Sequence, residues 1–397
     1  MKVLIRSVES PVGRLVAVLV VALAGLGVAR LYDVGDLGAA PWYIWGVSAL
    51  LAVGLYGSAS GIPRDAVRDL HTVVLAVTVG VMLKTALIAV VMYLASGSRP
   101  ETMILGVAVA QIDPLSVAAL VGRSRMSQRA KSLLLAWASF DDPITALLTI
   151  YLVTFTLGRG SGPTGGVSAY ALDLALNLAF AGVVWALWLL ARRLVPPRAN
   201  AFPTWFRVVA VLVLAGLVAV AAWRFLMLGI ALVGLFYRPG ISALAERVTT
   251  GAFFLATLAL GALLSGGVDL RLGVVLGVAA FAAQIVVGTL IAWHLSRVDR
   301  VYLALGQQNG ITAVILALAL EPYLPYAVSV VAPAILTVNV LNIATNAAWD
   351  RRRERAEIET ATAQALTSPD PVRTGPVPVV RSARKSSPTR RRARRAR

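Results

Sequence analysis

Four ionisable side chains interrupt long apolar runs: Lys84, Asp113, Asp141 and Asp142. At the centre of a membrane-spanning helix each such group costs roughly 2.5–3.5 kcal/mol on insertion scales, so the four together cost on the order of 10 kcal/mol. That rivals the net stability of an ordinary domain. They must face each other, water or a ligand, and ionisable groups so placed mark an ion or proton pathway. A plainer account makes Lys84 the salt-bridge partner of one aspartate, stapling two helices. It explains one pair and leaves two carboxylates uncompensated.

Two Asp-Pro pairs sharpen the chemistry. In Gln111-Ile112-Asp113-Pro114-Leu115-Ser116 the proline offers no amide hydrogen, so the carbonyl of Ala110 is expected to lose its helical partner. Proline also drives the preceding residue away from helical geometry. Ser139-Phe140-Asp141-Asp142-Pro143 repeats the pattern and is expected to free the carbonyl of Ser139. Each site couples a carboxylate to a bare backbone oxygen, a donor set that suits a small hard cation. Broken backbone at that depth survives only where protein covers it or a cavity adjoins it. A third interruption, Gly306-Gln307-Gln308-Asn309-Gly310, is polar and flexible inside an apolar run. Asn339, Asn342 and Asn346 then form a stripe on one helical face. Interhelical hydrogen bonds would also explain that stripe.

The elements that must position these groups follow from composition. Of 397 residues, 58 % are hydrophobic and 14 % charged, and the mean hydropathy is +0.78. A soluble domain carries about 25 % charged residues. The chain is expected to be an all-α polytopic membrane protein with twelve spans: 14–31, 41–58, 72–97, 102–121, 131–157, 168–191, 207–222, 225–237, 248–265, 271–295, 301–320 and 326–347. The division near Arg224 is the weakest, since 207–237 could form one tilted helix. Odd-numbered connections each carry a single basic residue, namely Arg30, Arg99, Arg159, Arg224 and Arg271. Even-numbered ones carry more, from Arg64 and Arg68 to Arg297 and Arg300, so both termini are expected in the cytoplasm of a plasma-membrane protein. The first run imitates a signal peptide, but cleaving it would put that alternation on the wrong side, so it is read as an uncleaved span.

The net charge of +18 does not imply nucleic-acid binding, because fourteen basic residues fall between Arg351 and Arg397. That tail, 348–397, is rich in Pro, Ser and Arg and is expected to be disordered. It reads as a solvated topogenic segment, or as a cluster, Arg390 to Arg397, resting on anionic lipid headgroups. The chain has no cysteine, which excludes disulfides and thiol chemistry. His71 and His294 make no zinc site, and no nucleophile–His–acid set or phosphate-binding glycine loop suggests an enzyme or a cofactor. His294, near the cytoplasmic end of its span, is a polar helix-end residue or a pH sensor.

Spans 3–5 and 10–12 read as two units of opposite topology, each with a broken middle helix. Inverted repeats with crossed broken helices around a midplane site are a secondary-transporter pattern. On Asp113-Pro114, on Phe140-Asp141-Asp142 and on the Gly306–Gly310 break, the chain resembles the monovalent cation/proton antiporter superfamily, in its bacterial sodium/proton exchanger-like, double-aspartate form, over about residues 10–347. The resemblance implies exchange of sodium or potassium for protons. Asp142 would bind cation and proton in turn, with Asp141 assisting and Asp113 at the broken-helix crossing. Ser139, Ala110, Gln308, Asn309, Asn339 and Asn342 would support them, and the cation would sit at Asp142 and Asp141. It also implies a homodimer, with spans 1, 2, 7, 8 and 9 as scaffold. Many double-aspartate members have a lysine where this chain has Gln284, and Lys84 in span 3 is expected to supply the missing counter-charge. Pro143 and Trp137 are further departures. A sodium-coupled symporter of an organic anion is the alternative, with the Gln307-Gln308-Asn309 and Asn339–Asn342 amides as its pocket; three acids near that pocket argue against it. A membrane scaffold that presents the basic tail is a third class.

Overall fold

The computed structural model describes residues 11–32, 38, 40, 42–61, 70–156, 165–194, 204–238, 242–306, 308 and 310–367. A chain this apolar must satisfy its backbone within each segment, and helices do so. Accordingly the described residues are helical apart from turns, short connections and one isolated bridge. The helices are α1 (Pro11–Tyr32), α2 (Tyr43–Ser60), α3 (Leu70–Leu75 and Val81–Ala95, joined by a π-helical turn at Ala76–Gly80), α4 (Met103–Ala108), α5 (Pro114–Arg123), α6 (Gln128–Thr156) and α7 (Gly165–Leu194). Then come α8 (Thr204–Arg224), α9 (Met227–Phe236), α10 (Ser242–Leu263), α11 (Leu270–Ile291), α12 (Arg297–Ala304), α13 (Ile311–Leu320) and α14 (Ala327–Thr367). Each apolar run read from the sequence coincides with a helix or with two half-helices. Among the described residues, seven helices are long and apolar enough to cross a membrane alone.

The division near Arg224 is real. Phe225 takes a left-handed conformation at φ 54°, which a helix cannot propagate, and α9 starts anew two residues later. The second Asp-Pro pair behaves otherwise: α6 runs unbroken through Pro143 for 29 residues. One proline removes a single bond, and a long helix held by its neighbours absorbs that as a local irregularity. The expectation of a broken backbone at Ser139 is therefore corrected.

The chain falls into two units, Met1–Ala347 and Ala348–Arg397. In the second, residues 348–367 are helical rather than disordered as expected. The segment is dense in Ala, Arg, Glu and Gln, all strong helix formers, and Arg353 pairs with Glu357 at 3.4 Å one turn on. The arginine cluster beyond 367, the loop arginines Arg64, Arg68 and Arg159, and Asn309 lie outside the described residues.

Small residues set the closest packing. A Cβ on Gly25 of α1 would lie 2.1 Å from the carbonyl oxygen of Leu258, and one on Gly261 would lie 2.0 Å from that of Ala22. Helices α1 and α10 thus meet backbone to backbone, as small residues permit in membranes. Elsewhere α3 packs on α11, bringing the two three-span units face to face. The π turn, which inserts an extra residue per ring, sits one turn before Lys84 and sets where that lysine points.

Candidate functional site

Two helix breaks cross at the centre of the first unit. The gap between α4 and α5 meets the gap between α12 and α13 through an antiparallel bridge of Ile112 with Gln308. Pro114 ends one path by starting another: it is the first residue of α5, where a missing amide costs nothing. Asp113 caps that helix, its Oδ2 accepting from the Ser116 amide at 3.0 Å and from the Ser116 hydroxyl. Ala110, fully buried in the same gap, donates its amide to the Val107 carbonyl at 3.1 Å, tightening the end of α4. On the other side Gly310 caps α13, and a Cβ there would lie 2.0 Å from Asp113 Oδ1. Only a glycine admits the carboxylate. Asp113 therefore sits at the amino ends of two half-helices, whose partial positive charge compensates it.

The carboxyl end of α12 presents bare carbonyls, and three amides serve them. Gln284 of α11 donates to Leu303 at 3.1 Å, Asn342 of α14 to Leu305 at 2.8 Å, and Asn346 to Leu305 at 3.4 Å. Two members of the asparagine stripe thus hold the break in shape. Asn339 donates to Ile335 of its own helix at 2.9 Å.

Helix α6 carries the aspartate pair to this crossing, and its two carboxylates have unlike surroundings. Asp141 Oδ2 accepts from Lys84 Nζ at 2.7 Å and from the Ile112 amide at 2.9 Å, with Lys84 and Asp141 both 0 % exposed. The ammonium also lies 5.3 Å from the centroid of the buried Trp137 ring, a favourable placement for a cation. Lys84 does supply a counter-charge from the opposite unit. Asp142, 1 % exposed, accepts at Oδ2 from Thr312 Oγ1 at 2.7 Å, while its Oδ1 is buried with no hydrogen-bond partner. Thr145 donates to the Asp141 and Asp142 carbonyls, each at 2.9 Å, and the Ser139 hydroxyl turns back to Leu135 at 2.8 Å. Ser139 takes its place as a helix-internal contact.

Sequence reasoning missed Thr312 as a contact of the acid pair. Its one signal is a hydroxyl two residues after Gly310 in the otherwise apolar Ile311–Leu320. It also passed over Gln111 as a site residue. Gln111 and Gln308 are fully buried, and none of their amide atoms has a hydrogen-bond partner. With Asp141 Oδ1 and Asp142 Oδ1 these form a concentration of unsatisfied oxygen that buried polar groups do not ordinarily tolerate. Such oxygens suit a hard monovalent cation or a proton as cargo.

Solved structures share this architecture. The sodium proton antiporter MjNhaP1 from Methanocaldococcus jannaschii, at pH 8, superposes with a TM-score of 0.61 at 16 % identity, over 84 % of this chain and 98 % of that one. An electron-microscopy map of the same antiporter gives 0.55 at 16 % identity, over 83 % and 89 %. No family model and no curated sequence matches the chain. The protein has an antiporter-like, all-α membrane fold.

Proposed function

We propose that the protein exchanges a monovalent cation, sodium or potassium, for protons across a cell membrane, with Asp142 binding the two in turn. The observation that carries this is the unpartnered Asp142 Oδ1 at the crossing of two broken helices. A single carboxylate accepts a proton or ligates a cation, and one occupant excludes the other. Either occupant neutralises it. Bare, it would carry an uncompensated charge through a dry region at a cost of several kcal/mol, so the empty carrier is held back and the two ions are coupled. Asp113, as a helix cap, and Asp141, as the partner of Lys84, shape the site around it. The family resemblance supports the same assignment of Asp142, and the antiporter-like fold supports exchange in general.

Under this reading the loop arginines place both termini in the cytoplasm, and α1, α2, α8, α9 and α10 form a scaffold with a dimer face. The anion symporter draws no support from the asparagines, since Asn342 and Asn346 are engaged at Leu305. Purified protein in proteoliposomes with an acidic lumen and a pH-sensitive dye provides the test. Sodium, potassium, lithium or choline is added outside. Lumenal alkalinisation specific to one or more of the metal cations is expected, and Asp142→Asn should lower its rate at least about a hundredfold, the loss of about 2.7 kcal/mol of ion stabilisation. No response to any cation between about pH 6 and 9, in folded protein, would remove the proposal.

A further inference from the structure

The crossing holds three carboxylates in three different electrostatic situations. Asp113 caps α5 and abuts Gly310, the cap of α13, so two helix amino ends compensate it. Asp141 is compensated by Lys84 through a short charge-assisted bond, and its Oδ2 is pinned a second time by the Ile112 amide. Asp142 meets only the neutral hydroxyl of Thr312 and keeps one oxygen open. The buried charged side chains among the described residues are Lys84, Asp113, Asp141, Asp142 and Asp299. The last binds Ser127, its Oδ1 accepting from the amide at 2.9 Å and its Oδ2 from the hydroxyl at 2.8 Å, where α12 and α6 begin.

Resting on the exchange reading above, we propose that Lys84 keeps Asp141 permanently compensated, so that Asp142 alone is exchanged and the protein trades one cation for one proton without moving net charge. The balance is direct. With a cation bound, Asp142 and its cargo sum to zero; with a proton bound, they also sum to zero. Lys84 and Asp141 cancel in both limbs, and Asp113 contributes the same charge to each. Losing the Lys84 proton would leave the Asp141 charge buried and would forfeit the favourable contact with the Trp137 ring, so the pair resists titrating with the cargo. Were Asp141 or Lys84 also to give up a proton for each cation, two protons would cross and one charge would move per cycle.

The balance point of exchange distinguishes these cases. Proteoliposomes receive opposed sodium and proton gradients, with sodium as the probe cation, and the gradient ratio at which proton flow stops is read with and without a voltage set by potassium and valinomycin. A voltage of about 100 mV displaces the balance point roughly fiftyfold for each net charge moved. Flow is expected to stop at equal sodium and proton ratios, at the same point with voltage and without. The double variant Lys84→Gln/Asp141→Asn, which exchanges the ion pair for an amide pair, is expected to keep that balance point whatever its rate. A roughly fiftyfold displacement in the wild-type protein, or a shifted balance point in the double variant, would overturn the one-for-one assignment while leaving exchange standing. Absence of sodium-driven proton flow and of potassium-driven flow alike defeats the exchange reading and the stoichiometry with it.

Discussion

Lys84→Met is expected to destabilise the protein by about 3–5 kcal/mol, among the largest losses available to a single substitution. Methionine matches the length of the lysine stem, so packing against Trp137 survives while the charge goes. Asp141, at 0 % exposure, would retain only the Ile112 amide against its desolvation. A buried carboxylate so abandoned must take up a proton or unfold its surroundings. Thermal unfolding in detergent checks this, and Asp141→Asn on the same background should recover at least half the loss, because it removes the orphaned charge. An unchanged midpoint for Lys84→Met would mean that the pair is not buried as described. Equal losses in the single and double variants would mean that the damage is steric.

Gly310→Ala is expected to cut transport at least tenfold, and it acts through shape alone. The added methyl would lie 2.0 Å from Asp113 Oδ1 and 2.7 Å from Asp113 Cβ, inside contact distance of both. The crossing cannot yield on one side only, since Asp113 is tied to Ser116 and Ile112 bridges Gln308. Overpacking of this kind costs about 1–3 kcal/mol, or roughly ten- to a hundredfold in a rate that depends on the geometry. Gly216→Ala in α8 is the matched control, because a Cβ there meets nothing within 4 Å. Equal activity in the two variants would show that the crossing is looser than its contacts imply.

What could be read from the sequence was whatever rests on local chemistry. Pro114 dictates a helix start wherever its neighbours lie, so the first break was visible, and the charge midway along span 3 marked Lys84. Pro143 misled because the same chemistry sits inside a longer helix, whose remaining bonds and packing outweigh one missing amide. The unlike fates of Asp141 and Asp142 were unreadable. Adjacent residues on a helix point about 100° apart, and which of them meets a lysine is decided by the placement of α3 and of its π turn. Thr312 stayed hidden because a lone hydroxyl in an apolar helix ordinarily bonds its own backbone. The asparagine stripe was visible as a pattern, but its purpose depended on where the Leu305 carbonyl would emerge. The helix from 348 to 367 was masked by the composition of the whole tail, in which the Pro- and Ser-rich part follows a segment of good helix formers.

The central claim is that one buried carboxylate, Asp142, takes a proton and a cation in turn. Sodium binding followed calorimetrically at several pH values, in buffers of different ionisation enthalpy, measures that competition directly. On the acid side the apparent dissociation constant should rise about tenfold per pH unit, each sodium should displace one proton, and Asp142→Asn should show neither effect. Binding that is independent of pH with no proton released, or binding that persists with the same pH dependence in Asp142→Asn, would contradict it.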